Sequence, residues 1–199
     1  MSNIIQGDCL EEMRKFPDNH FDLVLTDPPY GIGKKWVGGK GHGWGKAREQ
    51  GEARNEWDST TPSQEYFDEI MRVSKNQVIW GGNYFNLPVS RGWLVWNKPE
   101  RNFTLAEAEL AWTSRDMVIR VGNYPRSEYD REHPTQKPLK LFKWCLTFFP
   151  DAKTVLDPYA GSGTTLRACK DLGLDCTVIE ISPKYVEIIK KRERQEVLL

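Results

Sequence analysis

The chain is predicted to form an α/β domain on a mostly parallel sheet, and three observations predict it. Short apolar runs alternate with helical patterns along the chain. One run, residues 21–26, stops at Asp27-Pro28-Pro29-Tyr30. Another, Val155-Leu156-Asp157, leads through Pro158-Tyr159-Ala160-Gly161-Ser162-Gly163-Thr164 into a helical pattern. In open α/β sheets ligands gather beyond the carboxyl ends of the strands, where both segments fall.

Taken in order, Ile4-Ile5 reads as a short strand running into Gly7-Asp8, followed by a helix over about residues 10–16. Pro17-Asp18-Asn19 is a turn, and residues 21–26 form the strand that delivers the tetrapeptide. Ser63 is placed to cap a helix reaching about residue 74, with Tyr66, Ile70 and Met71 on one face. Residues 78–80, 93–96 and 110–112 are strands separated by turn residues. Trp80, Trp93, Trp96 and Trp112 fall within those strand patterns and are expected in the core. A connection over residues 124–133 precedes a helix over residues 139–149, and a strand–helix–strand–helix pattern closes the chain by about residue 194. There is no internal repeat and no linker, so residues 1–199 are expected to form one domain.

Composition narrows the function classes. The chain has 28 basic and 28 acidic residues and no net formal charge, so any nucleic-acid attraction must come from local patches. No apolar run approaches membrane-spanning length and the N-terminus lacks a signal-peptide pattern, so a cytoplasmic protein is expected. The four cysteines, Cys9, Cys145, Cys169 and Cys176, have no metal-type spacing, and neither disulfides nor a structural metal is expected. Residues 31–56 stand apart. They are glycine-rich, with six Lys and Arg against three Glu, and are expected to be a mobile loop and the local basic patch best suited to a phosphate backbone.

Asp27-Pro28-Pro29-Tyr30 carries the first chemistry. Each proline fixes its own φ and restricts the residue before it, so the strand ends in a rigid loop. That loop presents a carboxylate, carbonyls and a flat ring. Asp27 and the Pro28 carbonyl suit the two hydrogens of an amino group on a planar base, and Tyr30 suits its face.

The glycine turn carries the second. Gly161 and Gly163 allow close backbone approach, and a helix start offers unpaired amides. Glu180 ends the next apolar run about 17 residues past Gly163, near the spacing of roughly 20 at which an acid accepts from ribose hydroxyls. A nicotinamide fingerprint fails because Leu166 stands where Gly or Ala is needed. A phosphate-binding P-loop fails because Thr164 stands in place of its Lys. What remains is a cofactor with a ribose and an anionic or dipolar tail.

With these motifs, the chain resembles the β class of S-adenosylmethionine-dependent DNA amino-methyltransferases, in which the catalytic tetrapeptide precedes the cofactor turn. Gly7-Asp8-Cys9-Leu10, Trp80-Gly81-Gly82-Asn83-Tyr84-Phe85, Gly92-Trp93-Leu94-Val95-Trp96-Asn97-Lys98, Glu109-Leu110-Ala111-Trp112 and His133-Pro134-Thr135-Gln136-Lys137-Pro138 also look like segments of that family, in its order. The resemblance implies a Rossmann-like methyltransferase fold of seven strands, one antiparallel. It implies S-adenosyl-L-methionine as cofactor and double-stranded DNA as partner, with no membrane and no metal, in a monomer or homodimer.

Carried over residue by residue, the resemblance makes Asp27, Pro28, Pro29 and Tyr30 catalytic. Asp8 and Cys9 would meet the cofactor's adenine, with Asp8 accepting from its amino group. Tyr159, Gly161, Ser162, Gly163 and Thr164 would line the methionine moiety with Asp157 beneath them, and Glu180 would hold the ribose. Thr135, Gln136 and Lys137 would approach the methionine carboxylate. An Asp at the head of the tetrapeptide is typical of adenine-specific relatives, with cytosine as target and a catalytically idle nucleic-acid-binding relative as alternatives. Relatives also carry a sizeable target-recognition region; here residues 121–132 are a minimal counterpart.

Overall fold

A computed structural model describes residues 1–32, 58–100, 106–125 and 137–194. Eight strands form one sheet: β1 (Ser2–Gln6), β2 (Leu23–Thr26), β3 (Gln77–Trp80), β4 (Trp93–Asn97), β5 (Ala108–Thr113), β6 (Arg120–Asn123), β7 (Thr154–Asp157) and β8 (Asp175–Glu180). Their order across the sheet is β1-β8-β7-β2-β3-β5-β4-β6. β5 runs antiparallel to both its neighbours, and every other pair is parallel. The sheet is thus mostly parallel with one reversed strand, as expected, but has eight strands where seven were expected. The extra one, β6, has only Gly122 buried and so carries no apolar alternation to announce it.

Among the described residues five α-helices cover the sheet: α1 (Cys9–Met13), α2 (Gln64–Val73), α3 (Leu139–Leu146), α4 (Thr164–Asp171) and α5 (Pro183–Arg194). Successive strand residues point to opposite faces, and the core divides accordingly. Leu23, Leu25, Val78, Trp80, Trp96 and Val155 pack with Leu141, Phe142, Leu166, Ala168 and Ile189 of α3, α4 and α5. Val24, Ile79, Trp112, Leu156 and Ile179 pack with Met13, Tyr66, Phe67, Ile70 and Val73 of α1 and α2. The four tryptophans expected in the core are in these layers, Trp93 only partly buried. Cys145, Cys169 and Cys176 are buried in the first layer.

Helix ends differ from expectation in three places. Ser63 precedes α2 but its hydroxyl makes no cap hydrogen bond. α1 and α3 stop at Met13 and Leu146, short of residues 16 and 149. The loop over residues 31–56 lies almost wholly outside the described residues, as do residues 126–136. No helix among the described residues is long and apolar enough to cross a membrane.

Candidate active site

The strand order makes β2 and β7 neighbours, so the tetrapeptide after β2 and the glycine turn after β7 leave the same edge of the sheet side by side. Thr26 Oγ1, at the end of β2, donates to Asp157 Oδ1 at 2.9 Å. Asp157 also accepts from Tyr159 N at 3.0 Å and, through Oδ2, from Thr165 Oγ1. Burial pushes its carboxyl up to about 6, against these three donors. Asp157 is therefore the buried peg beneath the turn, with its oxygens engaged by the protein itself.

The cofactor side is built from β7, β8 and the segment after β1. Gly163, at φ +81°, caps α4 in a left-handed conformation that a side chain rarely adopts, and among the described residues no side chain caps the helix. The first-turn amides of α4 are thus left for a ligand. Glu180 Oε2 accepts from Gly161 N and its Oε1 from Ser182 N, both at 2.8 Å, which fixes the turn beside the carboxylate. Burial raises the Glu180 carboxyl. Each carboxylate oxygen retains a second lone pair, so the residue can still accept from hydroxyls.

Gly7 N donates to Glu180 O at 3.1 Å, bringing Asp8 to the same edge. Asp8 Oδ1 caps α1 through Leu10 N and Glu11 N, leaving Oδ2 outside the cap. Cys9 is half-buried beside Tyr159, and burial lifts its thiol to about 11. Ser162 and Thr164 are buried at the turn, and Arg192 Nη1 holds the Ser162 carbonyl at 2.7 Å. Two acceptors at one edge and a run of helix-start amides at the other fit a ligand with ribose hydroxyls at one end and a carboxylate at the other.

On the target side, Asp58 Oδ1 accepts from Tyr30 N at 2.7 Å and Gly31 N at 2.9 Å, anchoring the loop backbone. Tyr30 Oη donates to Asp27 Oδ1 at 2.6 Å. The Tyr30 ring lies against Gly81, where an added Cβ would stand 2.1 Å from Cε1. Its ring also stacks on Tyr84, with centroids 5.0 Å apart and planes inclined by 14°. One face of the expected base platform is therefore covered by a protein ring. A cleft of about 140 Å³ opens here, lined by Tyr30, Gly81, Asn83, Tyr84, Ala106, Ala108, Glu109 and Leu110.

Lys137 stands in this half of the site. Its Nζ pairs with Asp27 Oδ2 at 2.5 Å and Glu109 Oε2 at 3.2 Å, and lies 3.0 Å from Tyr30 Oη. Lys98 Nζ pairs with the other oxygen of Glu109. Burial raises the Asp27 carboxyl, and Lys137 pulls it back. Burial would raise Glu109 too, yet the two ammoniums hold it at about 2. Expected at a ligand's carboxylate, Lys137 instead meets carboxylates of the chain. Gln136 and Thr135, expected beside it, lie outside the described residues.

Sequence reasoning assigned no role to Glu109, Lys98, Asp58 or Tyr84 in the site. For the first two, the available signal was an acid and a base flanking two apolar strand patterns. Among the described residues, no group of His, Cys, Asp or Glu is arranged to hold a metal ion.

A family model described as DNA methylase, of the N6/N4 type, matches residues 79–191. The chain is 29% identical over 207 residues to the YubD protein, a putative methylase of Escherichia coli (strain K12), covering 93% of this chain and 87% of that protein. It is 25% identical over 243 residues to the type II methyltransferase M2.MboI of Moraxella bovis, covering 96% and 86%. It is 26% identical over 251 residues to the type II methyltransferase M.HinfI of Haemophilus influenzae, covering 98% and 69%. Among solved structures, the PvuII DNA methyltransferase, cytosine-N4-specific, matches with a TM-score of 0.65 at 16% identity, covering all of this chain and 88% of that one. TTHA0409 of Thermus thermophilus, complexed with S-adenosyl-L-methionine, matches at 0.61 with 19% identity, covering 99% and 96%. At these identities the structural likeness is one of fold. The family match spans more than half of the chain, and the chain belongs to the N6/N4-type DNA methylase family.

Proposed function

We propose that the chain transfers a methyl group from S-adenosyl-L-methionine to the exocyclic amino group of adenine in double-stranded DNA, acting on a base turned out of the helix. The observation that carries this reading is the Thr26–Asp157 bond, which sets an amino-accepting loop directly beside a cradle for a ribose- and carboxylate-bearing ligand.

The exocyclic amino nitrogen is a poor nucleophile because its lone pair is delocalised into the ring. Asp27 and the Pro28 carbonyl would accept its two hydrogens, favouring a tetrahedral nitrogen with the lone pair aimed at the cofactor side. Bound S-adenosyl-L-methionine would supply a methyl already activated by its sulfonium. Asp27 would then stabilise the positive charge that develops on the amino nitrogen as its bond to the methyl carbon forms and that carbon's bond to sulfur breaks. The surplus amino proton would leave afterwards through the Asp27 carboxylate to solvent. Asp8 Oδ2 would receive the cofactor's adenine amino group, Glu180 its ribose, and residues 161–164 with the α4 amides its methionine end. A base inside a duplex cannot reach this edge, so flipping is required.

Asp27 at the head of the tetrapeptide supports adenine. Cytosine is the second reading, compatible with a family whose model takes in both the N6 and the N4 type. Incubating the protein with labelled S-adenosylmethionine and unmethylated DNA, RNA or protein, then analysing nucleosides, decides. N6-methyladenine in DNA supports the proposal, and N4-methylcytosine alone replaces it with the second reading. No label in DNA contradicts both.

A further inference from the structure

Four alternating charges run through the target side: Asp27, Lys137, Glu109 and Lys98. They arrive from four places in the sheet. Asp27 follows β2, Lys98 follows β4, Glu109 lies in β5, and Lys137 immediately precedes the segment that leads into α3. The Lys137 and Lys98 side chains are 5% and 6% exposed, whereas about a fifth of the Asp27 side chain and a quarter of the Glu109 side chain are exposed. The cations are thus buried behind the carboxylates, and the carboxylates look outward.

That arrangement has a directional consequence. Lys137 Nζ takes one oxygen of Asp27, Oδ2, while Tyr30 Oη donates to the other. The two contacts fix the plane of the carboxylate, and Glu109 prevents the ammonium from following Asp27 alone. We propose that Lys137, anchored by Glu109, is a positioning residue of the target side that sets the direction of the Asp27 carboxylate, and is not a ligand of the cofactor. The inference rests on the amino-methyltransferase reading above.

The charges facing Asp27 also define a pH signature. Lys137 favours its ionised form. Glu109 on the far side of the Lys137 ammonium and Asp157 beneath the turn oppose it, and the Tyr30 hydroxyl supports it with a hydrogen bond. Lys98 acts through Glu109, Tyr84 faces the Tyr30 hydroxyl, and Cys145 of α3 faces Lys137 from behind. Activity needing ionised Asp27 rises with pH through the Asp27 transition. Removing Lys137 raises that transition, so the acid limb moves to higher pH.

The test uses the full chain with S-adenosylmethionine and unmethylated duplex DNA. In Lys137→Met, cofactor affinity measured by calorimetry without DNA should stay within about threefold, while single-turnover methyl transfer falls on the order of 100-fold. Its acid limb should move up by about one to three pH units. Lys137→Arg, which can pair with both carboxylates, should recover most of the rate and the limb. Glu109→Gln should slow transfer about tenfold with cofactor affinity unchanged, and it decides the matter if Lys137→Met does not fold. A tenfold or greater loss of cofactor affinity in Lys137→Met, or in Glu109→Gln, with the acid limb unmoved would assign Lys137 to the cofactor and overturn the proposal. A wild-type protein that binds S-adenosylmethionine but methylates no DNA would instead defeat the underlying reading, and the inference with it.

Discussion

Thr26 Oγ1 and Asp157 Oδ1, 2.9 Å apart, join the last residue of β2 to the last residue of β7. One hydrogen bond thereby ties the loop at residues 27–30 to the glycine turn at residues 161–163. Thr26 is fully buried, so no water can replace the hydroxyl. Thr26→Val should cost about 1.5–3 kcal/mol of stability, the range for a hydrogen bond to a charged group. Chemical denaturation measures it directly.

Asp157 gives this joint a pH dependence. Its carboxyl is raised by burial from 3.8 to about 6, so the folded state holds the proton more tightly than the unfolded chain. The protonated form's advantage is complete below about 4 and is lost as pH rises to about 6, on the order of 2–3 kcal/mol. Asp157→Asn imitates the protonated group. The stability difference between variant and wild type should therefore grow in the variant's favour across that window, as followed by denaturation at a series of pH values.

Gly81 sits at φ +71° with Tyr30 directly over it. Gly81→Ala forces the Tyr30 ring away and adds roughly 1–2 kcal/mol of backbone strain. Methyl transfer should drop well beyond what the modest fall in melting temperature explains. Cofactor affinity, measured in parallel, should hold.

Much of this was legible because it rests on local pattern. The apolar run into Asp27-Pro28-Pro29-Tyr30 and the strand–glycine–helix at residues 155–170 each announce themselves, and α/β topology brings their ends together. Lys137 was harder. Its charge called for an acid, and sequence offered no means of choosing a carboxylate of the chain over one on a ligand. Glu109 and Lys98 meet because the antiparallel β4–β5 register pairs Trp96 with Glu109 and Asn97 with Ala108. Such a register is a tertiary fact with no trace in spacing. Tyr84 on Tyr30 follows from a left-handed turn at Gly81 whose path the dipeptide Gly81-Gly82 does not specify.

Residues 31–56 carry a local charge of +3 in a neutral chain, and we propose them as a phosphate-contacting element. Replacing Lys34, Lys35, Lys40 and Lys46 with Ala should weaken DNA binding and flatten its salt dependence, with cofactor affinity unchanged. Binding isotherms at several salt concentrations check this. An unaltered slope would move the role to other basic residues.

Asp27→Ala separates the proposed labours of the two loops held side by side. Asp27 touches Tyr30 and Lys137, whereas the contacts proposed for the cofactor come from Asp8, Glu180 and the turn at residues 161–164. Calorimetry with S-adenosylmethionine and single-turnover methylation of duplex DNA should be run on the same preparation. Cofactor affinity should stay close to wild type while the methyl-transfer rate falls by at least about 100-fold. A parallel loss of affinity and rate, or a rate left near wild type, would contradict it.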